Sequence, residues 1–229
     1  MFCTNLPLRH RLGHNPAAHR TREAPRHATV GCRAPLASTL CSLQTRSPYF
    51  GFRPPMQTDL ILRAPREDEE QEFLRAHRAT SPEVPYFLHY YQEGMAFRRY
   101  LEVLAEQARG ENLPPNHVPS TFLFAFAATR IVGRVSIRHC LNPFLERTGG
   151  HIGYVVVPAF RRRGYATVIL SLSLQIAHKL CIQRVLMTCD DDNIGSIKTI
   201  EKSGGILENV VTGPDVEKPK RRYWIEVGK

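Results

Sequence analysis

One short segment combines three arginines and a glycine where a strand pattern gives way to a helix pattern. Residues 155–166 read VVVPAFRRRGYA, and an apolar run of helical length follows. A strand that ends at a glycine-bearing turn and continues as a helix directs unpaired backbone N–H groups at one point, where the helix dipole adds positive charge. Gly164 would let a phosphate approach the backbone closely. The segment predicts an anion site, although a basic turn before a helix is also typical of a solvated surface.

The standard nucleotide motifs and metal motifs are missing from the sequence. A P-loop needs Gly-Lys-Ser/Thr, and the dinucleotide fingerprint needs three glycines with a downstream acid, whereas this turn has one glycine. None of the Cys and His residues has zinc-ligand spacing. The sequence therefore predicts neither NTP nor NAD as the ligand, and no metal.

Two motifs resemble those of one enzyme family. Arg-x-x-Gly-x-Ala after Val-x-Val-Pro resembles motif A, Q/R-x-x-G-x-G/A, of the GNAT family of acetyl-CoA-dependent N-acetyltransferases. Residues 192–205, DNIGSIKTIEKSGG, resemble the helix that follows in that family. The order and spacing of the two motifs are more specific than either alone, and the likeness is closer still to bacterial stand-alone members of unassigned substrate. The resemblance implies that acetyl-CoA is the co-substrate.

The same resemblance implies roles for individual residues. The amides of residues 161–166 would cradle the CoA pyrophosphate, and residues 155–157 would pair with pantetheine like an extra strand, one N–H polarising the thioester carbonyl. A core strand and a helix cap remain the alternatives for the valines and for Asn193. The implied cofactor-binding residues are Val155, Val156, Val157, Arg161, Arg162, Arg163, Gly164, Tyr165, Ala166, Thr167, Asn193 and Ser196.

The catalytic groups are less clear from the sequence. Transfer to an amine requires that some group or water accept the ammonium proton. Many GNAT enzymes carry a tyrosine as the acid before the Glu-Lys pair, but Ile200 stands at that position here. For the base, His151 is the nearest titratable candidate and Tyr154 the next, although a lone histidine on a strand is more often structural.

The aromatic segment SPEVPYFLHYYQEG, residues 81–94, falls where this fold usually covers the acceptor. Its side chains could form an amine pocket, with aromatic walls and an acid for the cation. An aromatic cluster that pins two helices together is an equally good interpretation. The candidate pocket residues are Glu83, Tyr86, Phe87, Tyr90 and Tyr91.

The periodicity over residues 56–229 predicts the order β-α-α-β-β-β-α-β-α-β-β. This order indicates one mixed α/β domain with a strand–helix–strand crossover at its centre. The resemblance implies the GNAT fold, in which helices flank a central, mixed but mostly antiparallel, twisted sheet.

The composition of residues 1–55 predicts a disordered extension. They contain seven prolines, eight arginines, no lysine and one acid, and account for +7 of the formal net charge of +10. The basicity therefore says nothing about nucleic-acid binding by the remainder. The segment resembles a mitochondrial transit peptide in composition, but prolines interrupt every candidate helix. We prefer the interpretation that the protein starts at Met56 and that the preceding residues are upstream sequence translated by mistake. We accordingly expect a cytoplasmic protein, or a mitochondrial one if the segment is a genuine transit peptide.

The sequence supports two functions from different classes. The first is transfer of acetyl from acetyl-CoA to a primary amine of a small molecule or peptide, by direct attack in a ternary complex. The second is a catalytically silent CoA-binding sensor or interaction domain. Neither a nucleic acid nor a membrane is expected as partner, since no apolar run approaches the roughly 18 residues of a membrane span. A homodimer is compatible with the sequence.

Overall fold

The computed structural model describes residues 60–85 and 87–228. The predicted extension over residues 1–55 and the pocket candidate Tyr86 lie outside these ranges. The described part has the predicted order of strands and helices. None of its helices has the length and hydropathy of a membrane span.

Four strands form the first sheet, in the order β1-β2-β3-β4 and antiparallel throughout. β2 and β3 form a hairpin, in which the two strands pair directly across a turn at residues 128–129. The strand bounds are β1 Leu60–Arg63, β2 Ser120–Ala127, β3 Arg130–Arg138 and β4 Ile152–Val156.

Three strands form the second sheet, in the order β5-β7-β6, again antiparallel. In chain order, α1 and α2 connect β1 to β2, and α4 connects β5 to β6. The helix α3 is the predicted crossover from β4 to β5. The remaining bounds are β5 Arg184–Asp190, β6 Ile206–Val211, β7 Lys220–Glu226, α1 Glu70–Thr80, α2 Phe97–Arg109, α3 Tyr165–Lys179 and α4 Ile194–Lys202.

The first sheet separates two hydrophobic cores. Phe122, Phe124 and Phe126 point from β2 towards α1 and α2, as their alternation predicts. Ala125, on the opposite face, belongs to a core with Ile169 and other residues of α3. Ile169, Leu170, Ser173 and Ala177 of α3 are buried and the other residues between 165 and 177 are half-buried, so this helix packs closely against the sheet.

The buried face of α2 is centred on its aromatic residues. Tyr100 and Gln107 are buried beside Phe97 and Leu104, whereas Ala105 is exposed. The large Tyr100 ring packs against Phe73 of α1, with ring centroids 5.0 Å apart, and this contact faces that side of α2 towards the core.

The two sheets meet where β4 and β5 begin. The His151 N–H donates to the Leu186 carbonyl at 2.7 Å, and the Leu186 N–H donates to His151 Nδ1 at 2.9 Å. Gly150 makes this approach possible, since its φ is +65° and a Cβ there would lie 2.7 Å from the Leu186 oxygen. Beyond this junction β4 and β5 share no ladder in the described residues.

Glu72 ties α1 to the β2–β3 hairpin. Its carboxylate accepts the Ile131 N–H at 2.7 Å and pairs with Arg75 at 2.6 Å. Burial alone would raise the pKa of Glu72, but the hydrogen bonds from Arg75 and Ile131 outweigh burial and hold that pKa below its ordinary value. The ionised carboxylate is therefore the stabilising form.

We expect Glu72→Ala to lower the free energy of unfolding by about 1–3 kcal/mol, because the Ile131 N–H would lose its acceptor. Urea unfolding at neutral pH measures the loss. Glu102→Ala, which removes an exposed α2 carboxylate, is the matched control and should change the stability little. The Glu72 effect should be complete above pH 4.5, the ordinary pKa, and should shrink as the pH falls through the lowered pKa. Equal losses in the two variants would contradict this role.

Candidate active site

The turn before α3 presents a row of backbone amides. Arg162 and Gly164 both have left-handed backbones, with φ of +61° and +82°. Within the described ranges, no backbone carbonyl accepts from the N–H groups of residues 162–166, whereas the Thr167 N–H already donates to the Gly164 carbonyl at 3.1 Å. A Cβ at Gly164 would meet none of the described atoms within 4 Å. The turn is thus an open concave surface of N–H donors at the N-terminus of a 15-residue helix.

Beside this turn, one edge of β4 has no strand partner among the described residues. The Val157 N–H donates to the Val132 carbonyl at 2.9 Å, so the backbone groups of Val157, and by alternation of Val155, face β3. The backbone groups of Val156 face the other edge. Val155 and Val157 also bury their side chains in the α1–α2 core, which is the core-strand alternative for these two residues. Contact of the three valines with a cofactor stays a prediction, and Val156 is the one whose backbone faces the open edge.

Arg161 connects this edge to the aromatic segment. Its Nε donates to the Val156 carbonyl at 3.2 Å, and its Nη1 pairs with the Glu83 carboxylate at 2.6 Å. Arg162 and Arg163 are exposed at the turn, the latter 5.7 Å from the Phe160 ring centroid. Glu83, predicted as the acid for an acceptor cation, instead neutralises a cation of this chain.

The structure places the residues of the predicted aromatic pocket in two different environments. Phe87 is fully buried against Phe124, and Tyr91 packs edge-on against Phe73 and Tyr100 at centroid distances of 5.7 and 5.5 Å. Tyr91 thus contacts both α1 and α2, which is the helix-pinning alternative, and Phe87 packs on β2. A role of either residue as a pocket wall stays a prediction.

Tyr90 contacts histidine side chains rather than the phenylalanine core. Its hydroxyl lies 3.2 Å from His117 Nδ1, and its ring contacts His89 at a centroid distance of 4.5 Å. Burial raises the pKa of the Tyr90 hydroxyl. Among the predicted pocket residues that the structure describes, Tyr90 contacts two histidine rings, those of His89 and His117.

His151 is a structural link and not a base. Its Nδ1 accepts the Leu186 N–H, so a neutral ring carries its proton on Nε2 and has no lone pair left for an amine proton. Burial, reinforced by the Arg138 cation, lowers the pKa of His151 to about 4. Tyr154 lies on the α3 side of β4, packed against that core, and its catalytic role remains a prediction.

The residues of α4 have local roles. Asn193 is the N-cap, and its side-chain oxygen accepts the Ser196 N–H at 3.1 Å. Asn193 therefore acts as a helix cap, which is its alternative role predicted from the sequence. Contact with a cofactor remains a prediction for Asn193 and Ser196. Ile200 is buried in the α3 core, and its aliphatic side chain has no proton to donate.

The sequence did not identify a group of basic and aromatic residues on the α1–α2 face of β3. The Arg134 guanidinium lies 5.3 Å from the Phe122 ring centroid, and the His89 ring stacks on the same phenylalanine at 6.3 Å. Arg138 Nη1 would be 3.2 Å from a Cβ at Gly153, so the guanidinium lies over β4. The signal was the alternation of Arg134, Ser136 and Arg138, which looks like a solvated strand face but is largely buried.

Comparison with known proteins identifies the family. A sequence model described as "Acetyltransferase (GNAT) domain" matches residues 59–206. No curated protein matches the sequence significantly. The predicted fold class is confirmed.

Solved acetyltransferase structures share the fold. RimL, a ribosomal L7/L12 alpha-N-protein acetyltransferase in complex with coenzyme A, is 17% identical, with 76% of this chain and 97% of RimL covered and a TM-score of 0.54. An acetyltransferase from Salmonella typhimurium that modifies the N-terminal serine of L7/L12 is 17% identical, with coverage of 74% and 95% and a TM-score of 0.52. Mycobacterium smegmatis RimJ with a CoA disulfide is 16% identical, with coverage of 73% and 81% and a TM-score of 0.53. At these identities the likeness shows the fold alone.

The structural role of His151 is testable by its pH dependence. Because its pKa is about 4 in the folded chain and ordinarily 6.5, stability should decline as the pH falls from 6.5 towards 4. We expect His151→Phe to lower the free energy of unfolding by about 1–3 kcal/mol at neutral pH and to weaken that decline, because the Leu186 N–H loses its acceptor. Urea unfolding across this pH range measures both. His178→Phe, at an exposed position on α3, is the control, and an unchanged pH dependence in His151→Phe would refute the role.

Proposed function

We propose that this chain, which belongs to the GNAT acetyltransferase family, transfers the acetyl group of acetyl-CoA to a primary amine by direct attack in a ternary complex. The observation that carries the proposal is the adjacency of two sets of backbone groups that have no backbone partner in the described part of the chain. The amides of residues 162–166 converge before α3, and the edge of β4 at Val156 has no strand partner in the described part of the chain. The first set suits a diphosphate and the second an extended amide chain.

The proposed cofactor contacts follow from this arrangement. The pyrophosphate would accept from the amides of residues 162–166, with the exposed Arg162 and Arg163 guanidinium groups nearby. Pantetheine would extend along β4, and the Val156 N–H would polarise the thioester carbonyl. Thr167 and Ser196 are the hydroxyl donors proposed from the adjoining helices. Coenzyme A in the RimL complex supports this assignment by fold analogy.

The proposed reaction needs no covalent enzyme intermediate. The amine lone pair attacks the thioester carbonyl carbon, the C–S bond breaks, and CoA leaves as a thiolate while the nitrogen loses a proton to water or to that thiolate. Cys189 is fully buried in the α3 core, so it is not the nucleophile. A small molecule or a peptide N-terminus remains the expected acceptor, and a homodimer remains a prediction.

A catalytically silent CoA-binding domain is the second candidate. Two observations favour it: Ile200 is a core residue, and His151 has no lone pair available. The two candidates differ in thiol release. An acetyltransferase releases CoA thiol from acetyl-CoA when a panel of primary amines is supplied, whereas a silent domain binds acetyl-CoA without turnover.

We expect Gly164→Glu to weaken CoA binding by about a hundredfold or more, because its carboxylate would occupy the surface of N–H donors and repel the diphosphate. Isothermal titration calorimetry with CoA measures the affinity, and circular dichroism checks that the variant is folded. Gly204→Glu is the matched control, because Gly204 has φ of +88° and the same open surroundings, but lies at the end of α4. Wild-type CoA affinity in Gly164→Glu would defeat the assignment.

A further inference from the structure

The outer strand of the second sheet exposes apolar side chains on both of its faces. β6 is the last strand in the order β5-β7-β6, so one of its edges has no strand partner in the described part of the chain. Ile206, Leu207 and Val210 are 73, 44 and 43% exposed, although outer strands are commonly protected by charged residues or prolines. The one charged residue of β6 is Glu208, and its carboxylate pairs with Arg222 of β7 at 2.8 Å.

Rows of apolar side chains cross the sheet and end at these exposed residues. On one face, Trp224 of β7 lies opposite both Leu186 of β5 and Ile206 of β6. On the other face, Tyr223 lies opposite Leu207. Leu186 and Tyr223 are fully buried and Trp224 is half-buried, so each row reaches solvent only at β6. A further strand beside β6 would extend both rows.

A bulge at Glu208 determines which face of the sheet each residue of β6 occupies. Leu207 lies opposite Tyr223 and Asn209 lies opposite Arg222, so Glu208 is the additional residue. Arg222 contacts both Glu208 and Asn209, at 2.8 and 3.3 Å, which places these two neighbours on the same face. Alternation on either side of the bulge then gives one face to Ile206, Glu208, Asn209 and Val211 and the opposite face to Leu207 and Val210.

We infer that β6 is a contact between two copies of this chain, which pair antiparallel through it and continue the sheet across a twofold axis. Residues directly opposite each other in such a pair must lie on the same face of the sheet. The register that pairs the whole strand meets this condition, and without the bulge the same register would set the two faces against each other. Its pairs are Ile206 with Val211, Leu207 with Val210 and Glu208 with Asn209 of the second copy.

The same register is compatible in side-chain chemistry. Each exposed apolar residue of β6 meets an apolar residue of the second copy, and the Asn209 amide can donate to the Glu208 carboxylate. Shifting the register by one residue would place the Glu208 carboxylates of the two copies directly opposite each other, which is destabilising. Because both copies use the same strand, the association closes at the dimer. Six paired residues make a small interface, so we expect a dissociation constant in the micromolar range.

Sedimentation velocity of the full-length chain tests this pairing. Between about 1 and 100 μM, a range that brackets the expected dissociation constant, the wild type should show a monomer–dimer equilibrium. Leu207→Lys should weaken dimerisation by about a hundredfold, because the twofold axis places two lysines opposite the Val210 side chains. Adding Val210→Glu to the same chain should restore the dimer, since each lysine then faces a glutamate of the second copy. Adding Val211→Glu instead should not, because Val211 lies on the other face.

Controls separate the interface from effects on the fold. Ile61→Lys should leave the dimer intact, because Ile61 is 37% exposed on β1, an outer strand of the first sheet. Circular dichroism checks that each variant is folded. If Leu207→Lys does not fold, hydrogen exchange of the wild-type β6 amides is measured instead, and it should slow as the protein concentration rises.

Several results would overturn this inference, and they do not involve acetyl transfer. They are a wild type that stays monomeric over the whole range, assembly beyond the dimer, a dimer that Leu207→Lys leaves intact, and failure of Val210→Glu to restore pairing. Exchange of the β6 amides that is independent of concentration would overturn it as well. Absence of CoA binding or of thiol release would overturn the proposed function and leave the dimer contact standing.

Discussion

The contact between His151 and Leu186 is the constraint on which the rest of the site depends. It joins the two antiparallel sheets with one backbone bond and one side-chain bond, at 2.7 and 2.9 Å, and Gly150 supplies the space. In the described residues β4 and β5 are joined where they begin but share no ladder farther along, so the edge of β4 at Val156 is open to the extended pantetheine chain that we propose. A ladder continued along both strands would use the same N–H groups and close the site.

The backbone N–H and C=O groups of successive residues in β4 face opposite edges of the strand. Val155 and Val157 face β3 and bury their side chains, which fixes the strand, while Val156 presents its peptide groups to the open edge. Arg161 brings a cation to that edge and binds Glu83 of the aromatic segment. The turn proposed for the cofactor and the segment expected to cover the acceptor are therefore in direct electrostatic contact.

The sequence predicted the parts of the site that are local in the chain. A strand, a glycine-bearing turn and a helix within residues 155–180 place their amides by local geometry alone, and the hairpin of β2 and β3 follows from alternation and a short polar step. The function of His151 could not be predicted from the sequence, because its hydrogen-bond partner Leu186 lies 35 residues away in the chain. A histidine that accepts a backbone hydrogen bond and a histidine that acts as a base look the same in a sequence. Arg134 and Arg138 were missed for a related reason: a polar strand face indicates solvent unless another layer is known to cover it.

The chemistry of the leaving group explains how the proposed reaction could proceed without the usual proton-transfer residues. A tyrosine acid is unnecessary where the leaving group is a thiolate, which is a comparatively stable anion. The proton of the attacking amine can pass to water or to that thiolate, so the chain need not supply a dedicated base. Ile200 in the core and His151 in a structural bond are therefore compatible with the proposed acetyl transfer.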